Sequence, residues 1–295
     1  MNDYYNYIDF NAIKLAELSE NLGDYKCAIR NYSKALKRLV QYQGDRMQPM
    51  QMAMDLSDKI DKLNSNNNFG VSIFEFNQWK LSKSSFVKGT KCLKYIYLDK
   101  YKKLEKTPFS KETKDLFAKG HQFEETVRIA EFPNGINVKD KVGDFAYFNS
   151  YTKYIINTEK NCILYEATII EDDVLVMCDI LTKDINGKID IYEIKLNKDL
   201  NEAILKDLDI QYYVCLKRFG NHLNSFNVIF SPDENSSNWV IKNFKDELEL
   251  QIENTKNLIE LFTKTLQKNE PEITMSNHCY KPYECEFIDY CKKKC

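Results

Sequence analysis

The sequence predicts an α/β domain preceded by a small helical module. Three β-type runs stand close together, at 162–170 (CILYEATII), 174–182 (VLVMCDILT) and 188–196 (KIDIYEIKL). They are rich in β-branched residues and are separated by the turn signals Glu171-Asp172-Asp173 and Asn186-Gly187, so they read as an antiparallel meander. Segments with helical spacing flank the meander, and the first 63 residues carry helical patterns alone.

Residues 9–42 read as two amphipathic helices around a tight turn at Gly23-Asp24. The spacing of Leu15, Ala16, Ala28, Tyr32 and Ala35 resembles a tetratricopeptide hairpin, in which small residues mark the close approach of two helices. Ser19 stands where a large aromatic residue is usual, and no second copy follows. A plain hairpin packed on a third helix at 48–63 fits equally well. Either form suits contact with a protein partner better than chemistry. Residues 64–70 (NSNNNFG) lack apolar periodicity and read as a linker, which makes 1–63 the module and 71–295 one larger domain.

Within that domain a helix is expected over 110–131, with Leu116, Phe117, Phe123, Val127 and Ala130 as its apolar stripe. Glu124 and Glu125 follow Phe123, and either lies beside the stripe or on the solvated face. After the meander come a helix at 199–219, a strand at 226–231 and a long helix at 243–267.

The net charge of −2 excludes a generic polycation, so any surface for nucleic acid must be local. One segment qualifies. Between Lys80 and Lys103 eight lysines face a single acid, Asp99, with Tyr95, Tyr97 and Tyr101 interleaved. Lys83, Lys88, Lys91 and Lys94 either track a phosphate backbone or form an ordinary solvated helix face. No apolar run approaches the ~18 residues of a membrane helix. The opening MNDYYNYIDFN has neither a basic start nor an apolar stretch, which argues against a secretory leader and for a cytoplasmic protein. The nine cysteines, odd in number, argue against a disulfide framework, and four of them fall in the last 17 residues.

Chemistry concentrates in the meander. Asp179 interrupts an apolar strand, and Glu193 and Lys195, two apart on the next strand, leave one face. Three ionised groups among apolar neighbours are costly to desolvate unless they pair with one another or bind metal. An isolated E-x-K is most simply a salt bridge; the aspartate strand ahead of it and the Asn-Gly hairpin between them bring a metal site into equal consideration.

Here the sequence resembles the PD-(D/E)xK nuclease superfamily, in its RecB-like branch. The matching pieces are LSKSSFVKGTKCLKYIYL, GHQFEETVRIAEFPNGINV, YEATI, CDIL, YEIK, KDLDIQYYV and HCYKPYECEFIDYC, in the family's order over residues 80–295. CRISPR-associated RecB-type exonucleases and the AddB nuclease subunit share this plan. The resemblance implies a restriction-endonuclease-like core, a mixed sheet flanked by helices, and Mg²⁺- or Mn²⁺-dependent hydrolysis of DNA phosphodiesters, with exonucleolytic action. By the same resemblance Asp179 and Glu193 hold the metal together with Glu125 from the preceding helix, and Lys195 positions the attacking water. His121, one turn earlier, is the alternative to Glu125. Gln211 with Tyr212 matches the helix motif after the E-x-K strand, although the place four residues beyond Gln211, tyrosine in many relatives, is Cys215. Tyr212 also joins the expected nucleic-acid contacts, and Glu166 matches without a defined role.

The resemblance further implies a 4Fe-4S cluster on Cys92, Cys279, Cys285 and Cys291. The C-x5-C-x5-C spacing is poor for a zinc ribbon, and four thiolates suit iron–sulfur, with zinc as the alternative. Cys295 is a substitute ligand outside the family pattern, and Cys27, Cys162, Cys178 and Cys215 read as small core residues. The rival reading is a catalytically silent scaffold or nucleic-acid-binding protein that keeps the nuclease fold; RNA is the alternative substrate.

Overall fold

A computed structural model describes residues 3–42, 44, 47–65, 78–197, 200–232, 239–281 and 284–294. The helices are α1 (Phe10–Asn21), α2 (Tyr25–Leu39), α3 (Met47–Ser65), α4 (Lys83–Lys91), α5 (Leu93–Tyr101), α6 (Lys111–Glu131), α7 (Val138–Val142), α8 (Phe148–Thr158), α9 (Glu202–Phe219), α10 (Lys245–Glu249), α11 (Ile252–Leu266) and α12 (Ile288–Lys292). The strands are β1 (Leu81–Ser82), β2 (Ile136–Asn137), β3 (Cys162–Glu171), β4 (Val174–Lys183), β5 (Ile189–Lys195), β6 (Leu223–Phe230) and β7 (Val240–Asn243). Among the described residues no helix is long and apolar enough to cross a membrane. The chain divides into two compact units, Met1–Gln78 with Ile136–Glu159, and Trp79–Gly135 with Lys160–Cys295.

In the first unit, aspartates start both helices of the hairpin. The Asp9 carboxylate accepts from Ala12 N–H and that of Asp24 from Cys27 N–H, each at 3.0 Å. Ala12, Ala16, Ala28 and Ala35 are all buried, so the small residues do sit where α1 and α2 approach. Ser19, in the place of the usual aromatic, is buried and donates to its own helix at Leu15 O (2.7 Å). Helix α3 adds Leu56 and Leu63 to this core.

The domain boundary differs from the linear expectation. Residues 136–159, expected in the larger domain, belong to the helical unit. Lys34 pairs with Asp144 (3.4 Å), and the Arg30 guanidinium lies over the Tyr147 ring at 5.4 Å. These are contacts across more than 100 residues, which no local pattern announces. Residues 64–65 of the expected linker complete α3, and 66–70 lie outside the described residues.

The second unit is α/β, with a mixed sheet between helices. Strands β3, β4 and β5 form the expected antiparallel meander. Asp172 and Asp173 close the first hairpin with φ of +49° and +61°, a left-handed turn that Asp tolerates better than most residues. At the second hairpin the Asp184 carboxylate accepts from Asn186 and Lys188 N–H at 2.9 and 2.7 Å. Helix α9 carries the chain back so that β6 runs parallel to β5, and β7 is antiparallel to β6. Strand β5 pairs with β4 only over Ile180–Lys183. The other end of β4 is met by β1, parallel, at Val174 and Leu175.

Helix α9 packs on one face of this sheet and the C-terminal half of α6 on the other, where Val127 buries against Ile180, Ile194 and Ile229. The expected α6 stripe holds only there: Leu116 and Phe117 are 56% and 48% exposed, and Ala130 is exposed. The long helix expected at 243–267 is two, α10 and α11, parted at Leu250 and Gln251, and its expected first residue is the last of β7. All four β7 residues are exposed, so the strand carries no alternation to read.

Helix α4 meets α11 at Gly89. A methyl group there would stand 2.8 Å from the buried Phe262 ring, which is itself packed edge-on against Phe86. Gly→Ala inside a helix gains about 1 kcal/mol of propensity, while overpacking a fixed core costs about 1–3 kcal/mol. Gly89→Ala is therefore expected to lower stability in urea unfolding. A midpoint at or above wild type would show that this contact does not limit the approach of α4 and α11.

Candidate functional site

The site begins where the alternation of two strands breaks. Residues two apart in a strand share a face. Yet Ile180 packs in the α6-side cluster, while the Cys178 thiol touches the Cys215 thiol of α9 on the other side (3.7 Å). The in–out pattern of β4 therefore reverses at Asp179. Its register partner on β3 is Glu166, which lies between the pairs Tyr165–Ile180 and Ala167–Cys178 and takes a φ of +55°. A left-handed residue inside a strand costs about 1–3 kcal/mol, so tertiary contacts must hold it.

Beyond Ile180–Tyr192, strand β5 leaves β4 and stays with β6 through Lys195–Phe230. This fork sets Asp179 beside Glu193. The Asp179 carboxylate takes the place of a strand partner and accepts from Ile194 N–H (2.7 Å). Glu193 is 2% exposed. Its Oε1 accepts from Lys195 Nζ (2.7 Å) and Lys83 Nζ (2.8 Å), and its Oε2 from Gln211 Nε2 (2.8 Å). Lys83 also donates to Gln211 Oε1 (2.8 Å), and Lys195 to Asp207 Oδ2 (2.6 Å). Asp207 and Gln211 are one turn apart on α9, which aims both into the fork.

Electrostatics separate the two central acids. Burial and the neighbouring Glu193 carboxylate hold the Asp179 carboxyl well above the usual aspartate range. Burial alone would also raise Glu193, but Lys195 and Lys83 outweigh it and bring its carboxyl down to about 2. Both lysines are held above the usual range: burial opposes this, but Asp207 and Glu193 prevail.

The helix-borne acid is Glu124, not Glu125. Glu125 is exposed, whereas Glu124 turns inward, where burial raises its carboxyl and the Arg128 guanidinium opposes the rise. Two consecutive residues on a helix point about 100° apart, so only one can join the site, and the Val127 stripe selects Glu124. His121 is 83% exposed and stands 3.7 Å from Glu124. Arg128 binds Glu124, one turn back, and donates to Glu166 Oε1 (3.0 Å) and to the Asp179 carbonyl (3.3 Å). The spacing of Glu124 and Arg128 was a readable ion-pair signal; their convergence with Glu166 was not.

Three of the four lysines expected to track a phosphate backbone are paired with acids. Lys83 enters the fork, Lys88 pairs with Asp99 (2.8 Å), and Lys94 pairs with Glu270 (3.4 Å). Lys91 stands among Cys92, Cys279 and Cys285, and burial lowers its ammonium below the usual lysine range. Tyr212 is fully buried against Phe226 and is out of reach of a nucleic acid. Tyr213, beside it, donates to Asp172 (2.8 Å).

Cys92, Cys279, Cys285 and Cys291 line one cleft, with Tyr95, Leu98 and Phe287 as its apolar wall. Burial raises the Cys285 thiol, and the nearby Cys279 and Cys291 add to the rise. The C-terminal tail is drawn to this place by Glu286, which accepts from Tyr95 OH (2.5 Å) and pairs with Lys88 (3.4 Å). Cys27, Cys162, Cys178 and Cys215 are buried core residues, as their surroundings suggest. Cys295 lies outside the described residues.

Among the described residues, no group of three or more His, Cys, Asp or Glu side chains is arranged to hold a metal ion as it stands. The donor chemistry nevertheless fits two different groups. Crowded carboxylates that raise one another at the fork are hard oxygen donors for a divalent cation. Four thiols crowded in an apolar cleft are soft donors for iron–sulfur or zinc. No protein-family model matches the chain, and no curated protein matches it.

The raised Asp179 carboxyl has a consequence for stability. Its proton is held more tightly in the folded than in the unfolded chain. That contribution is favourable at low pH and is lost as pH rises from about 4, the unfolded value, through the folded one. Asp179→Asn keeps an acceptor for Ile194 N–H and does not titrate. Without added divalent metal, its stability relative to wild type is expected to rise between pH 4 and pH 7. Equal urea midpoint differences at the two pH values would contradict this account.

Proposed function

We propose that this chain is a metal-dependent deoxyribonuclease of the PD-(D/E)xK type, RecB-like and exonucleolytic, with a 4Fe-4S cluster as a structural staple. The observation that carries the reading is the fork itself, where Asp179, Glu193 and Lys195 stand together on β4 and β5 with Gln211 behind them. A salt bridge on a half-exposed strand would leave Glu193 open to water; here it is buried and bonded by three donors. So dense an assembly of charge is costly to fold without a use.

A divalent cation held by Asp179 and Glu193 would stabilise charge on the phosphoryl oxygens and acidify the attacking water. Lys195, charged and held between Glu193 and Asp207, positions that water and offers positive charge to the developing oxyanion. Gln211 donates to Glu193 and accepts from Lys83, which fixes the Glu193 carboxylate in one orientation. The four cysteines around one cleft support the cluster, which would tie the chain end to α4 and α5. The helical unit is a candidate platform for a protein partner.

Purified protein is expected to degrade end-labelled DNA with Mn²⁺ or Mg²⁺ and not with EDTA. Asp179→Asn, Glu193→Gln and Lys195→Met should each reduce kcat by about 10²–10⁴, with thermal midpoints confirming the fold. DNA binding without cleavage in any metal would favour the silent scaffold, and cleavage of RNA alone would change the substrate.

Anaerobically purified protein is expected to contain iron and sulfide. Cys92→Ser should lose both and lower the unfolding midpoint of the nuclease unit, while Cys162→Ser should retain both. Stoichiometric zinc in place of iron would replace the cluster and leave the nuclease reading in place.

A further inference from the structure

The charges gathered at the fork do not balance. Among the described residues five acids converge there, Glu124, Glu166, Asp179, Glu193 and Asp207. Three bases face them: Lys83, Arg128 and Lys195. With every group ionised the excess is two negative charges. One divalent cation cancels it; a second would leave the pocket as positive as it was negative.

The pairing is as uneven as the count. Lys83 and Lys195 divide Glu193 and Asp207 between them. Arg128 serves the opposite side. One of its terminal nitrogens, Nη2, binds both Glu124 and Glu166 and also reaches the Asp179 carbonyl. The residue is 7% exposed, and its guanidinium lies over the Tyr165 ring at 5.0 Å. Its Nε is buried with no hydrogen-bond partner among the described residues. A buried guanidinium with a donor to spare is held there by the two carboxylates rather than by a complete set of its own bonds. Among the described residues, Asp179 is the one of the five acids with no direct ion pair: its carboxylate rests on a backbone N–H.

We propose that the fork binds a single divalent cation at Asp179 and Glu193, and that Arg128 is a built-in cation that neutralises Glu124 and Glu166 and holds the place of a second ion. The inference rests on the metal-dependent reading above. It makes Glu124 and Glu166 partners of Arg128 rather than metal ligands, and Arg128 a positioning residue for the Asp179 strand.

The test is Mn²⁺ titration of the full chain, followed by the electron paramagnetic resonance of free Mn²⁺, with Asp179→Asn as the reference for ions bound elsewhere. The wild type should hold one Asp179-dependent ion. Two would overturn the single-ion proposal and leave the metal-dependent reading standing; none would overturn both. Arg128→Met should gain a second ion and Arg128→Lys should stay at one. A folded Arg128→Met with no additional ion would overturn the role given to Arg128. Should Arg128→Met fail to fold, Glu166→Gln decides the same question. It should lower the Mn²⁺ affinity by less than about tenfold, the effect of one charge removed from the excess, because Glu166 serves Arg128. A loss of about tenfold or more, the size expected at a metal ligand or its direct support, would make Glu166 part of the metal site and overturn the proposal.

Discussion

The break in alternation at Asp179 and Glu166 is the constraint on which the second unit depends. A regular β4 would bury Asp179 in one apolar layer or the other. Reversing both strands at one register position sets the carboxylate between the layers, at the mouth of the fork left by β5. The reversal is unfavourable by itself, since Glu166 must adopt a left-handed backbone. Arg128 holds it from the α6 side by gripping the Glu166 carboxylate and the Asp179 carbonyl together. The hairpin turn at Asp172 and Asp173 and the short β1 at Val174 and Leu175 fix the strand ends on the other side.

Charge compensation then comes from elements far apart in the chain. Lys83 stands 110 residues from Glu193, and Arg128 stands 38 residues from Glu166. Carboxylates gathered this tightly destabilise the fold unless matched, and each match is made by tertiary structure. The lysine-rich segment is thereby drawn partly into the fold. Part of its positive excess, which as a sequence suggests a phosphate track, is matched within the fold: Lys83 meets Glu193, Lys94 meets Glu270, and Lys88 meets the segment's own Asp99.

Residues with local causes were legible in the sequence. The meander, its two turns and the same-face placement of Glu193 and Lys195 follow from period-two patterning and turn chemistry. The clustering of Cys279, Cys285 and Cys291 was likewise local, whereas Gln211 and the joining of Cys92 to those three came from the family resemblance. What failed depended on rotation or distance. Glu124 and Glu125 differ only in helical phase, which Val127 sets through its contact with β5 and β6. Asp207, one turn before Gln211, was within reach of the same helical argument and was missed because no motif drew attention to it. The assignment of residues 136–159 to the helical unit depends on contacts with α1 and α2 that no window of sequence contains.

Helix α4 joins the two chemically distinct regions. Lys83 at its first turn reaches into the fork, and Lys91 at its last stands beside the cysteine cleft with Cys92 immediately after. Nine helical residues rise about 13 Å, so the two regions are neighbours across a single short rod. Its Gly89 allows that rod to lie close against Phe262 of α11. Anything that fixes Cys92 also fixes the far end of the helix that presents Lys83 to Glu193. The cysteine cleft can thus act on the fork without belonging to it, by setting how firmly one of the two lysines is held against Glu193.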